Sequence, residues 1–187
     1  MLARDQVLSK MIIILTKTSM RPVLARSAGV SLALAIGAAV VPAHAAQPVV
    51  VAVDGTLCDL TKTLAAGAAS VTCLIPPGGD PHSYRLKPSD RSQIAKSDLV
   101  LHIGFGLTPS AKKLKSPGTV VAVGEVALPS YGGSDPHVWH DPANSAAMVR
   151  VISSSLAPVL PASDRAALQQ RTARAVAVLE LSLIHIS

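Results

Sequence analysis

The stretch PVVVAVDGTLCDLTKTLAAGAASVTCLI, residues 48–75, decides the fold. It opens on PVVVAV (48–53), a short apolar run rich in β-branched residues, and closes on SVTCLI (70–75), a second such run. Short apolar runs of this kind read as buried strands. Between them Leu57, Leu60, Leu64 and Ala68 recur at helical spacing, and Gly67 stands near the end of that segment. The order is strand, helix, strand. Parallel neighbours need a crossover of this length, so the stretch predicts a βαβ unit.

The pattern continues downstream. DLVLHI (98–103) and TVVAVG (119–124) are two more apolar strand signals. KPSDRSQIAKSD (87–98) reads as a helix, with Ser89 as its N-cap and Ile94 facing inward. GFGLTPSAKKLKSPG (104–118) reads as a loop with a short helix, and EVALPSYGGSDPHVWHDP (125–142) as one long turn-rich loop. NSAAMVRVISSSLAPVL (144–160) carries an apolar stripe of Ala147, Met148, Val151, Ile152 and Leu156, and Pro158 and Pro161 end it. SDRAALQQRTARAVAVLE (163–180) opens on Ser163, a good N-cap, and continues as a long helix. Strands that are almost continuously apolar and alternate with helices predict an α/β fold: a parallel four-stranded sheet flanked by helices.

Composition narrows the function. Only 2% of the residues are Phe, Trp or Tyr, so the core is aliphatic and there is no stacking platform for nucleic-acid bases. The net charge of +6 is concentrated in residues 1–45, which hold five basic residues and one acidic residue. Residues 46–187 hold twelve basic and ten acidic side chains and are near neutral. No nucleic-acid partner is expected.

Residues 1–45 read as a leader. Met20 to Arg26 is a basic n-region, 27–41 is an apolar run, and Ala43-His44-Ala45 fits the small-x-small cleavage rule. The apolar run is shorter than the roughly 20 residues that a spanning helix needs. The expected mature start is Ala46, in the periplasm, and the expected true start is Met20. Cys58 and Cys73 would then sit in an oxidising compartment, where a pair tends to bridge. The alternative is two small buried apolar side chains.

Two loops share one motif. Asp80-Pro81-His82 follows the second strand, and Asp135-Pro136-His137 follows the fourth. In parallel sheets, ligands bind beyond the carboxyl ends of the strands, where both loops lie. Imidazole is the commonest metal ligand, and a preceding proline stiffens the backbone that presents it. A lone loop histidine is ordinarily solvated; the repeated context singles out His82 and His137. Asp80 and Asp135 are candidates to support the rings or the loop amides. His140, three residues past His137, is a candidate third ligand, although a supporting or surface place suits it better. Tyr84 either caps the site or packs, and Trp139 anchors its loop. His102 ends a strand and is expected to pack or line a pocket. His44 belongs to the leader. The sequence contains no G-x-S-x-G, G-x-x-x-x-G-K-[ST] or H-E-x-x-H motif, so an enzyme is not expected. The competing reading is a secreted zinc hydrolase built on His82, His137 and His140, with Asp141 as base.

PPGGDPHSYRLKPSD and DPHVWHDP, together with the opening VVVAVDGTLCDLTKTLA, resemble the signatures of periplasmic metal-binding proteins that serve ABC importers of zinc and manganese. The resemblance covers about residues 48–180. It implies a non-enzymatic protein that hands an ion to a membrane permease, with His82 and His137 as its first two metal ligands. It also implies a bridge between Cys58 and Cys73, as in some zinc-type members, and a monomer when full length. Imidazole donors suit Zn2+; Mn2+, which prefers oxygen, is the other candidate. A metal-dependent adhesin shares this fold. In the family a long helix joins two lobes, and the second lobe supplies a further His and an Asp or Glu. The expected organisation is therefore a leader (1–45), an N-terminal metal-binding lobe (46–160) and the start of the interlobe helix (161–180). The final LSLIHIS (181–187) departs from the helix's composition, resembles translated adapter sequence and is expected to be a non-native tail, so His185 is not a ligand.

Overall fold

The computed structural model describes residues 46–186, with side chains described through residue 181. The expected signal peptide, its Met20 start and His44 lie outside the described residues, as does the side chain of His185.

Four parallel strands form one sheet: β1 (Val49–Ala52), β2 (Ser70–Cys73), β3 (Leu99–His102) and β4 (Thr119–Ala122). Their spatial order is β2-β1-β3-β4. The chain steps from β1 outward to β2, then returns to the other side of β1 to lay down β3. That reversal between β1 and β3 opens a crevice at the carboxyl edge of the sheet. Among the described residues five helices accompany the sheet: α1 (Gly55–Ala65), α2 (Pro88–Ile94), α3 (Val123–Ala127), α4 (Pro142–Leu156) and α5 (Arg165–Ile186).

The strands alternate between two cores, as a side-chain period of two requires. Val50 and Ala52 of β1 and Leu99 and Leu101 of β3 face a large cluster with Leu57 and Leu64 of α1, Met148 and Ile152 of α4 and Leu168 of α5. Val51, Val53 and Val100 face the other way, onto Leu74, Ile75, Ile94 of α2 and Ala111. Both faces are covered, which is why the strands read as unbroken apolar runs. Each fully buried Leu, Ile or Met of this core contributes roughly 1.5–3 kcal/mol of transfer free energy.

Cys58 of α1 and Cys73 at the end of β2 are joined as a disulfide, with their Cα atoms 5.6 Å apart. It ties the first helix to an edge strand. At the other end of α1, the Arg171 guanidinium of α5 donates to the Leu64 carbonyl at 2.6 Å. A cation on the last carbonyls of a helix satisfies orphan acceptors and complements its dipole.

Several boundaries differ from expectation. Ser89 is not the N-cap of α2. The helix starts at Pro88, whose fixed φ suits a first helical position, and Asp90 reaches back to accept from the Lys87 amide at 2.8 Å. Ser89 therefore lies inside the first turn. Ser163 is not the N-cap of α5 either. The Asp164 amide bonds the Pro161 carbonyl at 3.0 Å, so Ala162–Asp164 is a 3-10 turn and the α-helix starts at Arg165. The loop expected over 125–142 holds a short helix, α3, because the chain turns directly out of β4 with Val123 fully buried. The segment 104–118 forms only a 3-10 turn, Pro109–Ala111. The backbone of α5 remains helical through 181–186.

Candidate metal centre

The loop after β2 is folded by its own polar groups. The Gly79 amide bonds the Pro76 carbonyl at 2.9 Å, with Gly78 at φ 78°, a conformation that favours glycine. Asp80 then accepts from the His82 amide at 2.9 Å through one oxygen and from the Ser83 hydroxyl at 2.7 Å through the other. This is an Asx-type turn, in which a side-chain carboxylate replaces a backbone acceptor. Those two hydrogen bonds, the Ser83 hydroxyl first, hold the exposed Asp80 carboxyl below its ordinary pKa.

The loop after β4 is built the same way, with one addition. Asp135 accepts from the His137 amide at 3.0 Å, and the same oxygen lies 2.5 Å from His137 Nδ1. The Tyr131 hydroxyl donates to the Asp135 carbonyl at 2.9 Å. The His137 amide first, and then its ring, keep the Asp135 carboxyl below its ordinary pKa. The next residues, Val138–His140, form a 3-10 turn pinned to α4: the Ser145 hydroxyl donates to the Trp139 carbonyl at 2.6 Å, and the Asn144 amide group to the Val138 carbonyl at 3.1 Å.

The two loops leave the outermost strands and meet. His82 Nε2 lies 3.0 Å from His137 Nε2, with the ring centroids 5.0 Å apart and the planes at 56°. The pair is open to solvent; the His137 side chain is 36% exposed. Asp135 holds the His137 proton on Nδ1, which leaves Nε2 of that ring with a free lone pair. The two Nε2 atoms face each other across this gap. A cation can sit between them: two nitrogens bound at about 2.0–2.1 Å to one tetrahedral zinc lie about 3.3–3.4 Å apart, an opening of only about 0.3–0.4 Å from the observed pair.

The other candidates take different places. His140 is not drawn into the pair; its ring centroid is 6.2 Å from that of His137 and 5.5 Å from that of Trp139. Among the described residues no group of three or more His, Cys, Asp or Glu side chains is arranged to hold a metal. Tyr84 points its hydroxyl at the Leu74 carbonyl and Asp90 Oδ2, both at 2.9 Å, so it fastens the loop to β2 and α2 rather than capping the imidazoles. Trp139 packs against the large core and sets its ring 5.2 Å from that of His137. His102 lines a cavity at the ends of β3 and β4 with Phe105, Thr108, Lys112 and Glu125. Burial lowers its pKa, and the Glu125 charge opposes that. Asp141 is the N-cap of α4 and accepts from the Ala143 amide at 2.7 Å. The hydrolase arrangement, with three imidazoles and a free base, is not assembled.

One acidic residue at this edge escaped the sequence reading. Asp54 follows β1, caps α1 by accepting from the Leu57 amide at 3.0 Å, and is only 4% exposed. Its Oδ2 is buried without a hydrogen-bond partner. Burial pushes its pKa up to about 6, against the amides of Leu57, Asp54 itself and Ile103. The Asp before a helical apolar pattern is the signal that marks it as a cap.

Residues 50–181 match the profile of the family described as zinc-uptake complex component A, periplasmic (ZnuA). The chain belongs to this family. Its relatives include the zinc-binding protein TroA of Treponema pallidum (strain Nichols), 33% identical over 129 residues, which covers 64% of this chain and 42% of TroA. The high-affinity zinc uptake system protein ZnuA of Paracoccus denitrificans (strain Pd 1222) is 26% identical over 177 residues, covering 70% of this chain and 54% of that protein. The manganese-binding lipoprotein MntA of Halalkalibacterium halodurans is 34% identical over 105 residues, covering 52% of this chain and 35% of MntA. The solved structure of periplasmic TroA superposes with a TM-score of 0.66 at 28% identity, over 72% of this chain and 52% of TroA. The chain spans about half the length of these relatives or less. The parallel four-stranded sheet flanked by helices is the fold expected for the family.

Proposed function

We propose that this chain is the metal-capturing lobe of an extracytoplasmic receptor that delivers a transition-metal ion, zinc in preference to manganese, to the permease of an ABC importer. Convergence of His82 Nε2 and His137 Nε2 at 3.0 Å carries this reading. Two imidazoles from opposite edges of a sheet, one with its tautomer fixed by Asp135, form a preorganised pair of borderline-soft donors. Such donors suit zinc better than manganese. The named functions of TroA and ZnuA support zinc, while that of MntA keeps manganese as the alternative. Membership of the zinc-uptake family supports the delivery role and the permease partner.

Two imidazoles fill half of a tetrahedral sphere, so this lobe alone binds weakly and other donors complete the site. The test is calorimetric titration of the chain with Zn2+, repeated with Mn2+. His82→Ala and His137→Ala are each expected to weaken Zn2+ binding at least about tenfold, the lower end of the loss expected when a site loses metal-binding support. Unchanged Zn2+ titrations in both variants refute the ligand assignment. Tighter binding of Mn2+ than of Zn2+ refutes the choice of metal.

A further inference from the structure

The charged side chains of this lobe are segregated. Residues 46–187 contain twelve Lys and Arg, and seven of them fall between residues 85 and 115, against only Asp90 and Asp98. The rest of that span carries five basic and eight acidic residues. The seven belong to one layer. Arg85, Lys87, Arg91 and Lys96 lie on and around α2; Lys112, Lys113 and Lys115 follow the turn Pro109–Ala111. This layer covers the Val51, Val53 and Val100 face of the sheet, away from α4 and α5. All seven are exposed.

Neither acid in the segment neutralises the layer. Asp90 is buried and accepts from the Tyr84 hydroxyl and the Lys87 amide. Asp98 accepts from the Val49 amide at 2.7 Å. Among the described residues the ion pairs are His137–Asp135 and Arg150–Glu180, both elsewhere. Arg91, Lys113 and Lys115 also surround a cavity of about 250 Å³ with Ser110 and an apolar floor of Leu86, Ile94 and Leu114. Among the described residues no acidic side chain lines it. Three cations around an apolar floor suit a phosphate group with attached aliphatic chain.

We propose that the layer formed by α2 and residues 109–116 is a docking face for anionic phospholipid headgroups. Five of the seven cations are lysines, flexible point charges rather than planar forks. Charges of that kind, spread across a face, complement a fluid sheet of phosphates better than a fixed constellation of carboxylates. Each basic residue near an anionic membrane strengthens binding roughly fivefold. The side formed by α1, α4 and α5, with the residue that precedes each helix, carries five basic and five acidic residues, so only this layer draws the lobe to such a surface and docking is oriented. The inference uses no residue of the imidazole pair and holds whether or not the metal assignment does.

The test measures partition of the full chain onto vesicles in low salt with a chelator present. One vesicle set is equimolar phosphatidylglycerol and phosphatidylcholine; the other is phosphatidylcholine alone. Binding is expected only to the first. The triple variant R91Q/K113Q/K115Q is expected to lose at least about tenfold in partition coefficient, and so is K87Q/K96Q/K112Q, which removes the same charge from the same layer. The variant K62Q/R165Q/R174Q removes equal charge from elsewhere and is expected to stay within about twofold of the parent. All three carry the same leader, so their differences report the layer. Equal losses in all three variants, or no loss in either layer variant, overturn the proposal. Retention on immobilised polyglutamate with none on vesicles overturns it in favour of an acidic protein partner.

Discussion

Two aspartates occupy equivalent places in the repeated motif, yet the structure gives them unequal work, and this asymmetry can be measured. Asp80 hydrogen-bonds the His82 amide and the Ser83 hydroxyl but, among the described residues, makes no hydrogen bond to the His82 ring. Asp135 contacts both the His137 amide and Nδ1, the second at 2.5 Å. Replacing Asp135 with Ala removes a charge-assisted hydrogen bond and frees the ring to rotate and change tautomer. The expected result is a loss of about 10–100-fold in Zn2+ affinity, the range seen when a partner behind a metal-bound histidine is deleted. Asp135→Asn keeps an acceptor for both donors and loses only the charge, so it should fall between parent and Asp135→Ala. Asp80→Ala loosens a loop without touching a ligand's tautomer and should cost less than Asp135→Ala. The assay is calorimetric Zn2+ titration of all three variants at one pH, with circular dichroism melting to confirm folding. Equal losses for Asp80→Ala and Asp135→Ala would show that both carboxylates act only on the backbone, and the tautomer argument would fail.

Two further outcomes concern stability. The folded-state pKa of Asp54 is raised from 3.8 to about 6, so its protonated form suits the fold; the stability it contributes is full below about pH 3.8 and is lost as pH rises through about 6. Above that window the buried charge costs about 3 kcal/mol, and Asp54→Asn, which keeps a cap acceptor, should be the more stable protein by urea unfolding at pH 7, with the gap closing toward pH 4. A gap that does not change with pH refutes it; Asp80 and Asp135, whose pKa values are lowered, gain stability above their ordinary values in both proteins and cancel. Cys58→Ser should cost about 3 kcal/mol, the loop-closure value for a bridge of this span, and lower the melting temperature by about 6–12 °C. A melting temperature unchanged from the oxidised parent would show that the bridge does not constrain the unfolded chain.

The strands were legible because both faces of the sheet are covered, which turns each into an apolar run; PVVVAV contains β1 and SVTCLI contains β2. Helix starts were less legible. Ser89 and Ser163 are good caps by type, but neighbouring prolines set the backbone first, Pro88 by opening α2 and Pro161 by opening a 3-10 turn. The five residues of α3 are too few to show a period, and only the burial of Val123 marks where the chain turns. The imidazole pair was legible from a repeated tripeptide because proline and aspartate shape each loop locally. The difference between Asp80 and Asp135 was not, since both motifs read alike; it depends on how each imidazole is turned relative to its aspartate. The unpaired oxygen of Asp54 was equally hidden, because DGTLCD has the ordinary form of a helix start and burial is decided by segments distant in sequence.

The width of the sheet explains why this site takes two loops rather than one. β2 and β4 are its two edges, about 14 Å apart at the usual strand spacing. Loops from both edges must arch over the ends of β1 and β3 for their imidazoles to meet at 3.0 Å. Flexible loops would spend that reach in conformational entropy each time an ion arrived. Here the ordering is done in advance: by the prolines, by two carboxylate-capped turns, by Tyr84 on β2 and by Ser145 and Asn144 on α4. On the proposed reading, an entering ion would find His82 and His137 already facing each other, with the cost of ordering both loops met before it arrives.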